Sequence, residues 1–269
     1  MGKNINISIV LYNSDFEEIY NLIYLLNSIE CVCQIFLIDN SPLKNDRFDT
    51  LGAKYLFLGV NNGYGSGHNF AINYSIKSDV KYHLVLNSDI SFDKTVLPIL
   101  LQRIEEDSNI GMIMPKVLNL DGSVQFLPKL LPTPLNLLIR VVNPLQKLLN
   151  SKNKEYTLEN FHKQEVNVPI LSGCFSLFRV DALKDIGLYD ERFFMYFEDF
   201  DISRRIHSKY KTIYYPAVSI IHAHERGAAK NFKLFKVFLK SAIIYFNKYG
   251  WFIDNERTKI NRNVLKSLK

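Results

Sequence analysis

The feature that most limits the fold of this 269-residue chain is a regular alternation of short apolar strands and amphipathic helices in its first 90 residues. Strands are predicted over 5–11, 34–38, 55–58 and 82–86, with helices over 15–28 and 70–78. Each strand ends in polar or glycine residues, where a chain turns. This order is typical of a parallel sheet with helices on its faces, and it predicts an α/β fold.

Polar residues follow these strands at the points where they end. In an open parallel sheet, ligands bind beyond the carboxyl ends of the strands. The residues that fall there are Tyr12, Asn13, Asp39, the glycine-rich loop 61–69 and Asp89. The sequence therefore predicts a ligand site at this edge of the sheet.

The remainder of the chain contains helices, strands and two less regular segments. We predict further helices over 96–106, 181–186 and 231–249, and further strands over 111–115, 166–179, 212–215 and 218–221. The segment 127–150 is apolar but contains four prolines. It is interpreted either as a helical hairpin packed on the body or as an amphipathic patch on a membrane surface. The polar segment 151–163 is predicted to be a flexible loop.

The most distinctive stretch is 193–206, which reads FFMYFEDFDISRRI. Its carboxylates stand where a helix is predicted to begin, a position that the helix dipole favours. Glu198 and Asp199 point about 100° apart on a helix, so they can take different roles. A carboxylate among aromatic rings is shielded from water, which raises its pKa and suits it to proton abstraction. The alternative interpretation is a helix N-terminus with acidic partners for the dipole.

Two features at the strand ends indicate a nucleotide. Asp39 can accept a hydrogen bond from a pyrimidine base, or it can serve as a turn-forming residue before Pro42. The loop Gly63-Tyr64-Gly65-Ser66-Gly67 lets the backbone approach a ligand closely. It is not a dinucleotide fingerprint, because His68 stands in place of the third glycine and no acidic residue ends a strand about twenty residues on. This excludes a Rossmann oxidoreductase.

A divalent metal is predicted beside the nucleotide. Asp89 ends the turn after the fourth strand, and one carboxylate together with nucleotide phosphates is a common way to hold Mg²⁺ or Mn²⁺. His222 or His224 can add a nitrogen ligand, which favours Mn²⁺. Both histidines also have a structural interpretation, because a lone histidine near a strand end is often part of the core.

Composition narrows the ligand class and the compartment. The net charge of +6 and the pI near 9.0 favour phosphate-bearing ligands or an anionic membrane surface. The sequence contains no dense basic run and no zinc-finger spacing, so it does not indicate a nucleic-acid partner. Three cysteines are too few for a disulfide framework, and no run of about 18 apolar residues predicts a membrane-spanning helix. We therefore expect a cytoplasmic protein, peripheral on the inner face of the cell membrane if it contacts lipid.

Together these motifs resemble those of the family 2 inverting glycosyltransferases with the GT-A fold, closest to bacterial rhamnosyltransferases of O-antigen and capsule assembly. The resemblance covers most of the chain. It rests on VLYNS, LIDNS, NNGYGSGHN, LNSD, SGCFSLFR, FFMYFEDFDISRR and the region of His222, in that order. It implies a Rossmann-like, mostly parallel central sheet with helices on both faces. It also implies one domain, made of a nucleotide-sugar half (1–125), an insertion (126–165), an acceptor and catalytic half (166–230) and a helical tail (231–269).

The resemblance also implies roles for individual residues. Asp199 is implied to be the catalytic base, with Glu198 beside it at the acceptor. Asp89 is implied to bind the metal that bridges the donor diphosphate, with His222 as its partner. The residues implied to bind the nucleotide sugar are Tyr12, Asn13, Asp39, Gly63, Gly65, Gly67, His68, Asn69, Asn87 and Ser88.

Two positions depart from the family pattern. Asn87 stands where the Asp-x-Asp metal motif has its first aspartate, although its carbonyl can still bind a metal or the ribose. Residues 227–229 are Gly-Ala-Ala, whereas the family usually has a serine after the histidine. The resemblance therefore gives less support for donor phosphate contacts at these residues.

The expected donor is dTDP-L-rhamnose on the resemblance, followed by UDP-hexoses, and the expected acceptor is a lipid-linked saccharide. A catalytically silent sugar-nucleotide-binding or partner-recruiting module remains an alternative, and Asn87 favours it, whereas the Glu198–Asp199 pair argues against it. Nucleotidyl transfer to a sugar phosphate is a further alternative. That class has a glycine-rich basic loop after the first strand, and LYNSDFEE is acidic instead.

Overall fold

The computed structural model describes residues 2–141, 150–223 and 232–268. Within these ranges one sheet contains the strands β1 (Ile5–Leu11), β2 (Val32–Asp39), β3 (Lys54–Phe57), β4 (Tyr82–Leu86), β5 (Ile90–Ser91), β6 (Ile110–Leu118), β7 (Val166–Asn167), β8 (Phe175–Arg179) and β9 (Lys211–His222). The helices are α1 (Phe16–Asn27), α2 (Tyr64–Lys77), α3 (Val96–Glu106), α4 (Pro134–Val141), α5 (Asn150–Tyr156), α6 (Val180–Ile186), α7 (Glu198–His207), α8 (Phe232–Tyr249) and α9 (Asn255–Ser267). Single 3₁₀ turns lie at Asp46–Thr50 and Glu159–Phe161.

The strand order is β3-β2-β1-β4-β8-β6-β9-β5, and β7 pairs with β9. The first four strands in this order are parallel, as predicted. Helices α1 and α2 make the crossovers from β1 to β2 and from β3 to β4, since parallel strands cannot be joined by a tight turn. The other half of the sheet is mixed, because β8 runs antiparallel to both β4 and β6 while β6 and β9 are parallel.

Both faces of the sheet are covered by helices. Alternate residues of β2 belong to different apolar clusters: Ile35 and Leu37 pack with α1, whereas Phe36 and Ile38 pack with Ala71 of α2. Successive side chains of a strand point to opposite faces, so α1 and α2 lie on opposite sides of the sheet. All residues of β4 are buried, as is typical of a strand covered on both faces.

Several elements differ from the sequence prediction. Helix α2 begins at Tyr64, inside the glycine-rich loop, rather than near residue 70. The segment 151–163 contains α5 and a 3₁₀ turn instead of a flexible loop. The two strands predicted over 212–221 form one strand, β9, whose pairing with β6 is irregular after Pro115. A helix forms within 127–150 despite its prolines, because Pro134 is the first residue of α4. The backbone N–H of a first helical residue has no partner within the helix, so its absence in proline costs nothing there.

The C-terminal helices pack against the acidic stretch. Leu137 of α4, Phe193, Phe197 and the buried face of α8 form a separate apolar cluster. This supports packing of α4 on the body, while residues 142–149 lie outside the described ranges. In the parts of the chain that the structure covers, no helix is both long and apolar enough to span a bilayer.

Candidate active site at the carboxyl ends of the strands

Asp39 ends β2 and is fully buried. Its carboxylate accepts hydrogen bonds from the backbone N–H of Ser41 at 2.8 Å and from the hydroxyl of Tyr55 at 2.7 Å. A carboxylate has about four acceptor positions, so capacity remains for a base N–H. Asn13, in a left-handed conformation, donates its N–H to the Ser41 hydroxyl, and Tyr12 beside it is exposed. The structure therefore groups the three residues predicted to hold a nucleoside.

The glycine-rich loop makes direct backbone contact with the acidic stretch. Gly63 has φ +96°, and a Cβ added there would lie 2.2 Å from the carbonyl oxygen of Phe194. The N–H of Tyr64 donates to that same oxygen at 2.9 Å. An added Cβ would also lie 2.9 Å from the Tyr189 side chain at Gly65 and 2.7 Å from that of Val10 at Gly67. These glycines allow α2 to approach its protein neighbours closely. From the sequence, the close approach was predicted for a ligand.

His68 and Asn69 are buried within the protein. His68 Nδ1 lies 2.7 Å from the hydroxyl of Ser8, which also contacts His83 at 2.8 Å. Burial, with His83 nearby, holds the pKa of His68 well below its ordinary value, so both rings are neutral. Asn69 exchanges hydrogen bonds with the backbone of Tyr189. The side chains thus anchor the start of α2, and their predicted contact with a donor stays a prediction.

Asn87, Asp89 and His222 converge at the ends of β4 and β9. His222 Nε2 lies 3.4 Å from the Asp89 carboxylate and 3.4 Å from the Asn87 amide nitrogen. Residues 87–89, including Ser88, are partly buried, whereas His222 is buried. Burial opposes a charge on His222, but hydrogen bonds to Asp89 and Cys174 outweigh it and raise the pKa of His222 to about 9.

Gln125, which no sequence motif indicated, orients His222. Its amide nitrogen donates to the His222 carbonyl oxygen at 2.9 Å, so its amide oxygen faces Nδ1, at 3.1 Å. Nδ1 therefore carries a hydrogen, and Nε2 is the nitrogen that faces Asp89. An outer hydrogen bond of this kind is usual for a metal-binding histidine. No sequence signal connects two residues that are 97 positions apart.

The donor atoms present here fit a small divalent cation in part. An Asp oxygen and a neutral imidazole nitrogen suit Mn²⁺ or Mg²⁺, whereas the Asn87 amide oxygen accepts from the Tyr64 hydroxyl and its nitrogen faces His222. The described residues contain no cluster of three or more His, Cys, Asp or Glu that could hold a metal by itself. The remaining ligands must therefore come from phosphate or water. His224, the other predicted ligand, and residues 227–229 lie outside the described residues.

The Glu198–Asp199 pair begins α7, after two aromatic residues, Tyr196 and Phe197, that adopt left-handed backbone conformations. Such conformations cost about 1–3 kcal/mol each and recur at functional sites. Asp199 accepts from the N–H of Gly173 at 3.3 Å and of Phe200 at 3.0 Å. Burial raises the pKa of Asp199, and burial together with the Asp199 charge raises the pKa of Glu198 well above its usual value.

Lys129 is a second residue of the site that no sequence motif indicated. Its side chain is buried, with Nζ 5.4 Å from the centre of the Phe200 ring. Its positive charge lowers the pKa of Asp199, against the effect of burial. Lysine is almost never fully buried without a partner. A lysine inside the apolar, proline-rich segment 127–150 is therefore the one sequence signal for this charged group near the site.

Tyr64 joins the two halves of the site. Its hydroxyl lies 2.7 Å from the Asn87 amide oxygen and 2.8 Å from the carbonyl oxygen of Gly173, whose N–H contacts Asp199. On the other side, the Asn40 amide donates to the carbonyl oxygen of Gly63 at 3.1 Å, which connects the Asp39 group to the loop. Within the described ranges, the Asp39 group, the glycine-rich loop, Asn87 and Asp199 are therefore linked at the carboxyl edge of the sheet.

Comparisons of the sequence with known proteins give a consistent result. Residues 7–187 match the family described as Glycosyl transferase family 2. The chain is 28% identical over 211 residues to the low-salt glycan biosynthesis hexosyltransferase Agl10 of Haloferax volcanii, a match that covers 76% of this chain and 62% of that protein. It is 29% identical over 190 residues to the N-acetylglucosaminyl-diphospho-decaprenol L-rhamnosyltransferase of Mycobacterium tuberculosis, covering 65% of this chain and 60% of that protein. The chain thus spans about 60% of the length of these relatives.

Solved structures with the same architecture confirm the predicted GT-A fold. GalNAc-T7, determined with UDP, GalNAc and Mn²⁺, matches with a TM-score of 0.61 at 13% identity, covering 92% of this chain and 50% of that one. S. aureus TarS matches with a TM-score of 0.57 at 14% identity, covering 97% of this chain and 43% of that one. At these identities the likeness shows the fold alone.

Proposed function

The chain belongs to glycosyl transferase family 2, and from this premise we propose that it is an inverting glycosyltransferase with Asp199 as the catalytic base. The enzyme moves a sugar from a nucleoside diphosphate to a hydroxyl of a lipid-linked or growing surface-polysaccharide acceptor. The observation that carries the proposal is the link through Tyr64 and Gly173, which joins Asp199 to the group formed by Asn87, Asp89 and His222.

The chemistry of inversion needs a base on the acceptor hydroxyl, opposite the departing nucleoside diphosphate. Asp199 is partly exposed, and its raised pKa makes it a stronger base than a solvated aspartate. Glu198 is buried, its pKa is well above its usual value, and its Oε2 has no hydrogen-bond partner among the described residues. Burial and the neighbouring Asp199 charge therefore favour the protonated form of Glu198, which is proposed to lie beside the base on the acceptor side of the site.

The donor is proposed to lie along the remaining side of the site. Tyr12, Asn13 and Asp39 hold the nucleoside, and the backbone of the loop with Gly63, Gly65 and Gly67 lines the sugar pocket. Asp89 and His222, with Asn87 and Ser88 beside them, would hold Mn²⁺ or Mg²⁺, which neutralises charge on the leaving diphosphate when it is bound. His68 and Asn69 support this pocket from beneath, through the start of α2.

The donor sugar and acceptor are proposed from the relatives. One of them is named as a rhamnosyltransferase acting on a diphospho-decaprenol glycolipid and another as a hexosyltransferase. We therefore propose L-rhamnose from dTDP-rhamnose as the first candidate, a UDP-hexose as the second, and a lipid-linked saccharide at the inner membrane face as the acceptor. Asn87 in the metal motif favours a second candidate function, a silent module that binds a nucleotide sugar without transferring it.

A panel of nucleotide sugars tests the function. Thermal shift is measured with each donor, with and without Mn²⁺ or Mg²⁺, and release of nucleoside diphosphate is followed with a lipid-linked acceptor present. We expect dTDP-rhamnose to raise the melting temperature and to be turned over. Binding with no release, even with acceptors supplied, would favour the silent module, and binding of no donor would refute the nucleotide site.

Lys129→Met is expected to move the acid limb of the pH–rate profile to higher pH. The base must be ionised to act, so the rate rises with pH through the pKa of the carboxylate pair. The Lys129 charge lowers the pKa of Asp199, and its removal raises that pKa further. The profile of kcat/KM against pH measures the shift. Lys77→Met, on the exposed side of α2, serves as the control, and an unmoved acid limb in Lys129→Met would contradict the assignment.

Asp89→Asn is expected to weaken metal-dependent donor binding by about 10–100-fold, because the single carboxylate of this group is lost. Titration of Mn²⁺ by calorimetry in the presence of the nucleoside diphosphate measures the change without any turnover. Asp93→Asn, four residues further on and exposed, is the matched control. Equal Mn²⁺ affinity in the Asp89 variant and the wild-type protein would refute the metal assignment.

A further inference from the structure

The positive charge of the chain is concentrated at its C-terminal end. Residues 232–269 contain nine Lys and Arg against two Asp and Glu, a net charge of +7, whereas the whole chain carries +6. The preceding 231 residues are therefore almost neutral, at −1. A surface built from this end attracts anionic partners, and the remainder of the protein as a whole does not.

One face of α8 is exposed along its length and mixes lysines with apolar residues. The exposed positions recur every three or four residues, as expected for one side of a helix: Phe232, Lys233, Lys236, Leu239, Lys240, Ile243, Asn247 and Lys248. The opposite side, with Ala242, Tyr245 and Phe246, packs on the body of the protein. Lysine stems can lie along apolar surface while their ammonium groups reach a polar layer.

A turn at the end of α8 continues this face and exposes three apolar residues in succession. Trp251, Phe252 and Ile253 are exposed by 38%, 86% and 84%. The indole Nε1 of Trp251 donates to the side chain of Asn247 at 2.8 Å, which joins the turn to the exposed face of α8. The face and the turn therefore form one surface, here named the C-terminal apolar surface.

The turn is held in a defined shape by its backbone contacts. The buried guanidinium of Arg257 donates to the carbonyl oxygens of Gly250, Trp251 and Phe252 at 3.3–3.4 Å. Gly250 has φ +104°, and a Cβ added there would lie 2.3 Å from the carbonyl oxygen of Ile253. Because the backbone is already ordered, binding through Phe252 and Ile253 incurs little further loss of conformational entropy.

We propose that the C-terminal apolar surface docks on an anionic lipid bilayer. Trp251, Phe252 and Ile253 enter the boundary between headgroups and acyl chains, where tryptophan is enriched, and the lysines of α8 contact lipid phosphates. A second copy of the chain or another protein would also cover apolar side chains. The bilayer is favoured because lysines alternate with the apolar residues along the face and because the net positive charge of the chain comes from this end.

Vesicle sedimentation tests the proposal. The wild-type protein is expected to bind vesicles of phosphatidylglycerol and phosphatidylcholine, and to bind them less as salt is added. The double variant Phe252→Ser/Ile253→Ser is expected to lose at least about tenfold in partitioning, since two large apolar side chains no longer leave water. Lys236→Gln/Lys240→Gln is expected to lose about tenfold on anionic vesicles and to show a weaker salt dependence.

A matched control uses two apolar residues exposed elsewhere, Leu43 and Leu120. The variant Leu43→Ser/Leu120→Ser is expected to bind vesicles as the wild-type protein does. Vesicle binding that is unchanged in Phe252→Ser/Ile253→Ser would overturn the proposal. So would self-association of the wild-type protein that this variant abolishes, seen without vesicle binding, because a second copy would then cover the surface. No sugar transfer is measured, so failure here would leave the proposed reaction standing.

Discussion

Asp199→Asn is expected to lower the rate of sugar transfer by about 10³-fold or more and to leave donor affinity within about twofold of the wild-type value. General base catalysis contributes about 10²–10⁴-fold, and an amide cannot accept the acceptor proton. Asparagine is nearly isosteric and keeps an oxygen for the N–H groups of Gly173 and Phe200, so the local structure is preserved. Single-turnover transfer and equilibrium binding of the nucleotide sugar measure the two effects separately.

Asp181→Asn is the matched control for this substitution. Asp181 is an exposed carboxylate in the first turn of α6, and its change is expected to leave both rate and affinity unaltered. Normal turnover by the Asp199 variant would show that the base lies elsewhere. A loss of donor binding equal to the loss of rate would instead identify Asp199 as a binding residue.

Arg204→Met is expected to lower the free energy of unfolding by about 3–5 kcal/mol, the usual cost of leaving one partner of a buried ion pair uncompensated. Arg204 on α7 is buried and donates to both oxygens of Asp254, at 2.8 and 2.9 Å, and to Glu256 at 2.7 Å. Asp254 is also buried, and among the described residues removal of the guanidinium leaves its charge with the side chain of Arg257, at 3.9 Å, and the N–H of that residue. Urea unfolding followed by circular dichroism measures the change.

Two further variants test whether the unpaired charge of Asp254 is the cause of this loss of stability. Arg192→Met removes an exposed arginine from its pair with Asp190 and is expected to cost less than about 1 kcal/mol. Arg204→Met/Asp254→Asn removes the uncompensated charge but keeps an N-cap for α9, and it is expected to recover part of the stability. If the double variant were less stable than Arg204→Met, the unpaired carboxylate would not be the cause.

Arg204 also matters for the site, because α7 carries the Glu198–Asp199 pair at its other end. Asp201 on the same helix is held by Arg205 at 2.8 Å, by Lys248 at 2.5 Å and by the hydroxyl of Tyr249 at 2.7 Å. Helix α7 is therefore fixed from α8 and α9 by buried charged groups. The C-terminal helices stabilise the position of the proposed base without contacting it.

Much of the fold was predictable because it depends on local patterns. The apolar period and the polar ends of the first four strands predicted a parallel sheet, and α3 was predicted over its observed residues. The start of α7 at Glu198 followed from its acidic first turn. The start of α2 was misplaced because glycines usually weaken a helix, whereas here they allow close packing against Tyr189 and Val10.

Contacts between distant segments account for most of what the sequence did not predict. Gln125 and His222 are 97 positions apart, and Arg204 and Asp254 are 50 apart. No periodicity relates such pairs, because each is made only when separate elements pack. Lys129 reaches Phe200 for the same reason. His68 and Asn69 show the same limit, because their side chains are buried in the protein and their predicted contact with the donor stays a prediction.

The configuration of the product tests the central claim most directly. A donor labelled with ¹³C at its anomeric carbon is transferred to the acceptor, and the configuration at that carbon is read by NMR in donor and product. Direct displacement assisted by Asp199 predicts the opposite configuration in the product. Retention of the donor configuration would contradict the account, because it would require a covalent intermediate or attack from the same face.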